Sequence, residues 1–469
     1  MVSEAQSKAS ATGAMEAIFA SQRAAYLAAP YPPATERRAN LKRLLNAILA
    51  HQDQFATAID RDFGGRSRDE VLFSEVYVAV NAIRHARRHL NGWMAARPRP
   101  VGWPLHPATA FVLPQPLGVV GIIVPWNYPV FLSISPLAGA LTAGNRVMLK
   151  PSEYTPETSA LLARIIGETF PQDLVAVVMG DATVGRAFTA LPFDHLLFTG
   201  ATSIGRDVMR AAAENLTPVT LELGGKSPAI IAPDANLNRA AEDIVYGKFL
   251  NAGQTCIAPD YVLVPQAGLR PFVEGLKKAT GRYYPNCQLT SIINDRHYAR
   301  LRNYLDAARA RGVETIPLGE QPEGVRKLTP TVLIDPPSDL AVMREEVFGP
   351  ILPLKTYQTL NDAVKYINNG PRPLALYLFA NDRRTIDYVL THTVSGGVCV
   401  NDTLLHIAAE DLPFGGVGAS GMGHYHGREG FDTFSKLKPV FRRHWLGLGR
   451  MLRPPHRRLH DWMRRILIR

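Results

Sequence analysis

Three polar residues sit in settings that packing alone does not require. Cys256 follows a Gly-Gln-Thr turn and precedes Ile-Ala-Pro in NAGQTCIAP, residues 251–259. Asn127 follows an apolar run in PWNYP, and Glu222 lies at the end of another in LELGG. A thiol that attacks a carbonyl needs three aids. Thiolate must be present, donors must await the oxyanion, and a base must activate water to release the acyl group. Cys256 offers the sulfur and a backbone N–H, Asn127 a side-chain amide, and Glu222 a carboxylate. Read singly, each has a plainer role: an inert buried thiol, a turn residue before Tyr-Pro, a surface or ion-paired carboxylate. Spacing alone leaves these alternatives open.

The segments around them set the expected fold. Apolar runs at 118–126, 146–152, 174–180, 195–200, 218–225 and 228–233 lack polar alternation, and helical stretches such as 130–143, 155–168 and 203–215 separate most of them. Strands of that kind belong to a parallel sheet covered on both faces, whose ligands sit at the carboxyl ends of the strands. A second α/β alternation, from about 237 to 399, includes runs at 260–265, 331–337, 349–357 and 396–401. Residues 34–51 predict a surface helix with Leu41, Leu44, Leu45, Ile48 and Leu49 on one face, and 66–92 continue in a helical pattern. The Pro-rich stretch 96–107 reads as a connector or edge-strand entry, and the glycine-rich 411–430 as an ordered loop.

The pattern is α/β: two stacked domains with parallel sheets plus a small element built from the connector and the C-terminal region. One domain takes residues 1–95 and 119–222 and the other 223–399; residues 96–118 and 400–440 form the small element, and 441–469 a basic tail.

With 469 residues the chain exceeds one ordinary core. Three widely spaced cysteines argue for a reducing compartment rather than a disulfide framework. The first residues lack a basic segment leading into an apolar run, so a cytoplasmic location is expected. The net charge of +11 is uneven: residues 436–469 hold eleven Lys or Arg against Asp461, so they carry +10 and the rest +1. The basic balance therefore says little about partners of the main body, and no nucleic-acid partner is expected.

PWNYP, LKPSE, FTGATSIG, LELGGKSP, GQTC and EEVFGP occur in the order found in NAD(P)-dependent aldehyde dehydrogenases, and the chain resembles that family over about residues 40–436. The resemblance implies two Rossmann-type domains, with 1–95 and 119–222 as the dinucleotide-binding domain and 223–399 as the domain with the nucleophile, and 96–118 with 400–440 as a bridging and oligomerisation element. The stretches 256–263 and 412–436 are most similar to the class 3 branch, and NDTLLHIAAEDLPFGG to bacterial coniferyl aldehyde dehydrogenases. The resemblance implies that the Cys256 thiolate attacks an aldehyde and that Asn127 and the Cys256 N–H hold the oxyanion. A thioester forms as the nicotinamide is reduced, and Glu222 activates the water that releases the acid. Having both functions favours hydrolysis over transfer to coenzyme A. A coenzyme A-acylating or other semialdehyde dehydrogenase, a thioester hydrolase without hydride transfer, and a basic-tailed membrane-binding protein on a retained scaffold are the rival readings.

FTGATSIGR has Gly200 and Gly205 but no GxGxxG, so by itself this turn is a weak signal. The resemblance implies that Lys150 and Glu153 hold the adenosine ribose, with Thr199, Gly200 and Gly205 near the diphosphate. It places Glu346 on the nicotinamide ribose and Phe348 under the ring. A carboxylate at Glu153 disfavours a 2′-phosphate, so NAD is expected, with NADP as the alternative. Class 3 relatives are dimers, which implies a homodimer here.

No metal site is expected: His456 and His460 have helical spacing without an acid or cysteine cluster. His424 and His426 read as structural, and Cys287 and Cys399 as packing residues, Cys287 the more exposed. Tyr128 and Phe414 are expected to wall an aryl or long apolar aldehyde. In residues 455–469, Leu459, Trp462, Met463, Ile466 and Leu467 form one helical stripe opposite arginines. That pattern suits peripheral contact with an anionic membrane or docking on the protein itself.

Overall fold

Apolar runs with no polar face become interior strands, and nearly all of those expected do so in the computed structural model. It describes residues 4–445, together with Pro454, Arg465 and Ile468. The first sheet has six strands in the order Gly421–Met422, Val219–Leu223, His195–Gly200, Val119–Ile123, Arg146–Lys150 and Val175–Val177. All its pairings are parallel except that of Gly421–Met422. The second has seven, in the order Thr315–Pro317, Thr331–Ile334, Ile351–Tyr357, Tyr261–Pro265, Pro228–Ile231, Ala375–Phe379 and Gly397–Val400. Here only the Thr315–Pro317 edge is antiparallel. A third sheet joins Arg97–Arg99, Thr109–Pro116 and Ser435–Arg442 in antiparallel order.

The strand order fixes where a ligand can enter the first sheet. From Val119–Ile123 the chain moves outward to Arg146–Lys150 and Val175–Val177, then returns to His195–Gly200 on the other side. The two crossovers leave a crevice at the carboxyl ends of Val119–Ile123 and His195–Gly200, the topological switch point where doubly wound sheets bind ligands. The helix Phe131–Ala143 follows the first of these strands and is almost wholly buried, as its uninterrupted apolar sequence requires. The helix Thr202–Ala213 follows the second, and Gly205 lets it approach closely: a Cβ there would overlap Leu223.

Three details differ from expectation. Leu49 is exposed, and the buried face of Ala34–Ala50 runs through Arg37, Asn40, Leu41, Leu44, Leu45 and Ile48 instead. Arg37 is held there by the carbonyls of Pro32, Thr142 and Ala143. The segment 411–430 contains a short strand whose Gly421 pairs with Glu222, so part of 400–440 completes the first sheet. A Cβ at Gly421 would overlap the Leu221 carbonyl, which is why a glycine-rich sequence can lie on that edge. Cys287 is buried, with Gly319 packed against its sulfur, whereas Cys399 is half-buried.

The helix Glu4–Ala28 lies on the first sheet, where Gln22 Nε2 donates to the carbonyls of Val147 and Gln172, each at 3.0 Å. No helix among the described residues is long and apolar enough to cross a membrane. His456, His460 and the apolar stripe of the tail lie outside the described residues.

Candidate active site

A tight turn presents Cys256. The helix Leu237–Phe249 ends in a single turn, Leu250–Gly253, in which Asn251, Ala252 and Gly253 all have positive φ. Gly253 is required: at φ +75° its Cβ would lie 2.5 Å from the Gly349 carbonyl oxygen. Gln254 pins the turn, donating to Asn251 O and Ser291 O at 3.1 Å and accepting from Ile293 N at 3.0 Å. After the thiol, Tyr377 Oη donates to Ile257 O. The segment is thus tied to two distant parts of the chain, 291–293 and Tyr377.

Asn127 follows the strand Val119–Ile123 and is buried. Its Nδ2 donates to Gln254 O at 3.1 Å, and its own carbonyl accepts from Asn251 Nδ2 and Arg66 Nη1, both at 3.0 Å. An amide nitrogen has two hydrogens, so this leaves one for another acceptor. Behind it, Arg66 is fully buried, with Nη1 2.9 Å from Glu75 and Nε 3.0 Å from Glu70. Glu75 in turn accepts from the backbone N–H groups of Val130 and Phe131 at 2.7 and 3.1 Å. A buried charge network therefore grips the PWNYP loop from below.

Glu222, on Val219–Leu223, is 2% exposed, and neither carboxyl oxygen has a hydrogen-bond partner. Burial pushes its pKa well above the ordinary carboxylate range. The Cys256 thiol is pushed up to about 12, by burial first and then by Glu346 and Glu222. Glu346 is raised to about 8 by burial, with Asp260 adding to the effect and the Gly225 amide opposing it. Its Oε1 is unpartnered, and Gly224 makes room for the carboxyl, since a Cβ there would overlap Glu346 Oε2.

Two cavities meet at the thiol. One, of about 220 Å³, is lined by Trp126, Asn127, Thr199, Gly200, Glu222, Gly224, Arg300, Glu346 and Phe348, among others. It occupies the crevice at the switch point of the first sheet. The other, of about 660 Å³, runs between Tyr128, Phe131, Tyr246, Leu250, Tyr284 and Leu405. Cys256 is the residue they share.

Of the expected nucleotide residues, Thr199, Gly200, Glu346 and Phe348 line the smaller cavity. Lys150 and Glu153 lie beyond it at the end of the neighbouring strand, Nζ to Oε2 at 3.5 Å, with Lys150 also donating to Pro151 O at 2.9 Å. Gly205 is buried in the helix against Leu223 and does not line the cavity. Its lack of a side chain serves helix–strand packing. Phe348, at φ +48°, meets Trp126 edge-on at 5.4 Å. Tyr128 walls the larger cavity and bonds Thr255 Oγ1 at 2.7 Å. Phe414 does not line it; it stacks on His426 and packs edge-on against Tyr425, both core contacts.

Three residues of the smaller cavity escaped the sequence reading. Trp126 looked like the end of a strand. His297 and Arg300 belong to the helix Asp295–Ala310, far from any motif. Arg300 donates to Glu346 O and Val347 O at 3.1 and 3.0 Å, fixing the EEVFGP loop. Among the described residues no group of His, Cys, Asp and Glu could hold a metal ion.

The model of the aldehyde dehydrogenase family matches residues 2–440. The chain belongs to that family. A probable coniferyl aldehyde dehydrogenase of Pseudomonas aeruginosa is 55% identical over 449 residues, 94% of each chain. The substrate-bound AldH of Staphylococcus aureus superposes with a TM-score of 0.92 at 37% identity, covering 96% of this chain and 99% of that one. An NAD+ complex of an aldehyde dehydrogenase from Bacillus cereus matches at TM-score 0.82 and 27% identity, over 92% and 89% of the two chains. The unpartnered Glu346 oxygen, facing a cavity whose βα turn is built from small residues, fits a ribose and diphosphate.

Proposed function

We propose that this aldehyde dehydrogenase oxidises a conjugated aryl aldehyde of the coniferyl type to its carboxylic acid, with NAD as the preferred cofactor. One observation carries the reading: the sulfur of Cys256 stands between two cavities, with an anchored amide and an unpartnered carboxyl lining the smaller one. The larger cavity's aromatic walls suit an aryl aldehyde, and the name of the Pseudomonas aeruginosa relative, a probable coniferyl aldehyde dehydrogenase, points the same way.

In this reading Cys256 loses its proton to solvent and adds as the thiolate to the carbonyl carbon, and Glu222, whose affinity for a proton is raised by burial, stays free for the later step. The second hydrogen of Asn127 Nδ2 and the Cys256 N–H receive the oxyanion. Glu346 and Lys150 with Glu153 would hold the two riboses, Thr199 and Gly200 would leave room for the diphosphate, and Phe348 would back the ring. The bound nicotinamide supplies the hydride acceptor. Oxidation leaves a thioester on Cys256, and Glu222 takes a proton from the water that hydrolyses it. A base in this position favours hydrolysis over transfer to coenzyme A.

Within this reading residues 1–95 and 119–222 form the nucleotide-binding domain and 223–399 the catalytic domain. The sheet that joins 97–99, 109–116 and 435–442 supplies the dimer contact. The deciding experiment is mass spectrometry of the Glu222→Gln variant stalled with NAD and 4-hydroxy-3-methoxycinnamaldehyde. An acyl adduct on the peptide containing Cys256 supports the reading; an adduct on Cys287 or Cys399, or none, overturns it.

A further inference from the structure

Most polar side chains lining the larger cavity are already committed within the protein. Ser74 Oγ donates to Glu70 O at 2.6 Å, Tyr128 and Thr255 bond each other at 2.7 Å, and Tyr283 Oη donates to Glu242 at 3.2 Å. Glu70 is held by Arg66 Nε at 3.0 Å, and Asp69 lies 3.9 Å from Arg68. The hydroxyls of Tyr246 and Tyr284 also line this cavity, and among the described residues neither has a hydrogen-bond partner. Much of the remaining wall is apolar, with Phe131, Leu132, Ile257 and Leu404 all buried.

The two phenols are neighbours. Tyr246 lies on the helix Leu237–Phe249, and Tyr284 directly follows Leu269–Tyr283, the helix packed beside it. Phe249, one turn after Tyr246, meets the Tyr284 ring edge-on at 6.2 Å. The backbone of Tyr284 is fixed as well: its N–H donates to Thr280 O and its carbonyl accepts from Cys287 N, both at 2.9 Å. Burial, followed by the charge of Glu70, raises both phenols above their ordinary value, so each hydroxyl keeps its proton and can donate.

A planar aryl aldehyde with its carbonyl carbon at Cys256 carries its ring substituents away from the sulfur, toward the outer end of the cavity. An oxygen on that ring gives up water on entering and needs a partner in exchange. A tyrosine hydroxyl supplies one at low cost in side-chain freedom, and its ring adds apolar contact. Ser67, Tyr77 and Gln288 are uncommitted too, but all three are exposed to water, whereas Tyr284 is half-buried with Tyr246 beside it. We propose that Tyr246 and Tyr284 are specificity-determining residues, whose hydroxyls recognise oxygen substituents on the ring of an aryl aldehyde held at Cys256. This rests on the reading of the substrate as an aryl aldehyde and adds which ring is preferred: one that carries hydroxyl or methoxyl groups over a bare one.

The test compares kcat/KM for 4-hydroxy-3-methoxycinnamaldehyde and for cinnamaldehyde, which differ only in the ring oxygens, followed by the fluorescence of reduced cofactor. The wild type should favour the oxygenated aldehyde. Tyr246→Phe and Tyr284→Phe should each lower that preference roughly three- to tenfold, and the double variant should abolish it. The ratio cancels changes in packing, because the two aldehydes share one frame. Equal kcat/KM for both in the wild type overturns the proposal and leaves the aldehyde reading standing. A preference that survives the double substitution also overturns it, since recognition then belongs to Ser67, Tyr77 or Gln288. A loss shared equally by the two aldehydes does the same, being the mark of a packing role. Oxidation of neither aldehyde by the wild type overturns the proposal together with the substrate reading.

Discussion

The side-chain amide of Asn127 donates to the carbonyl of Gln254, 3.1 Å away and two residues before Cys256. One hydrogen of that amide thus fixes the distance between two segments, and the other is directed by the same planar group. Replacing Asn127 with Ala removes both the donor and the tether. Loss of one oxyanion donor is worth about 3–4 kcal/mol, so kcat should fall 10²–10³-fold in steady-state assays at 340 nm. A fall of less than about fivefold would rule out the role assigned to this amide.

Glu222 and Cys256 should fail at different stages. Cys256→Ser should show neither burst nor turnover. Glu222→Gln should give one equivalent of reduced cofactor in stopped flow and then stop, because the acyl group has no base to release it. Steady turnover by Glu222→Gln would place that base elsewhere.

The high pKa of the Cys256 thiol, about 12, makes the ligand-free nucleophile sluggish at neutral pH. Below that value the thiolate fraction rises tenfold per pH unit, so alkylation by iodoacetamide should keep accelerating from pH 7 to 9. Burial is the main cause and the charges of Glu346 and Glu222 the next. Glu346→Gln should therefore lower the thiol pKa and speed alkylation several-fold at fixed pH. A rate that levels off by pH 8 would contradict the burial assigned to the sulfur.

The Arg66–Glu75 pair is predicted to matter for both stability and rate. Breaking a fully buried ion pair costs about 3–5 kcal/mol. Arg66→Met should lose that much in urea unfolding, and kcat should fall as well because Arg66 holds the carbonyl of Asn127 at 3.0 Å. Unchanged kcat in the folded variant would show that the loop needs no such support.

Glu153 should tune cofactor choice. Its carboxylate lies 3.5 Å from Lys150 Nζ and is about one-third exposed. Glu153→Gln would remove repulsion toward a 2′-phosphate and free Lys150 to meet it. The ratio of kcat/KM for NADP over NAD should rise on the order of tenfold, ~1.4 kcal/mol. An unchanged ratio would show that this carboxylate does not face the ribose.

What could be read in the sequence follows from how local each signal is. The strands of both sheets announce themselves because burial on two faces leaves them no polar positions, as in Val119–Ile123 and Ile351–Tyr357. Cys256, Asn127 and Glu222 each carry a local turn or strand-end signature. The larger cavity does not, since its walls come from Ser67–Val78, Tyr128–Leu132, Tyr246–Ile257, Tyr283–Gln288 and Leu404–Ala408, which meet only after folding. Arg300 looked like one more cation on a polar helix, and only its bonds to Glu346 O and Val347 O reveal its use. Phe414 and Gly205 mislead for the opposite reason. Each sits inside a motif of the family, yet one fills the core and the other lets a helix approach a strand.

The two chambers have Cys256 as their single common wall. Traffic through one therefore does not have to wait for the other. Under the proposed chemistry, spent dinucleotide would leave while the sulfur is still esterified, and the space it vacates would admit the water that ends the cycle. Binding order is then a matter of relative rates rather than of an obligatory queue.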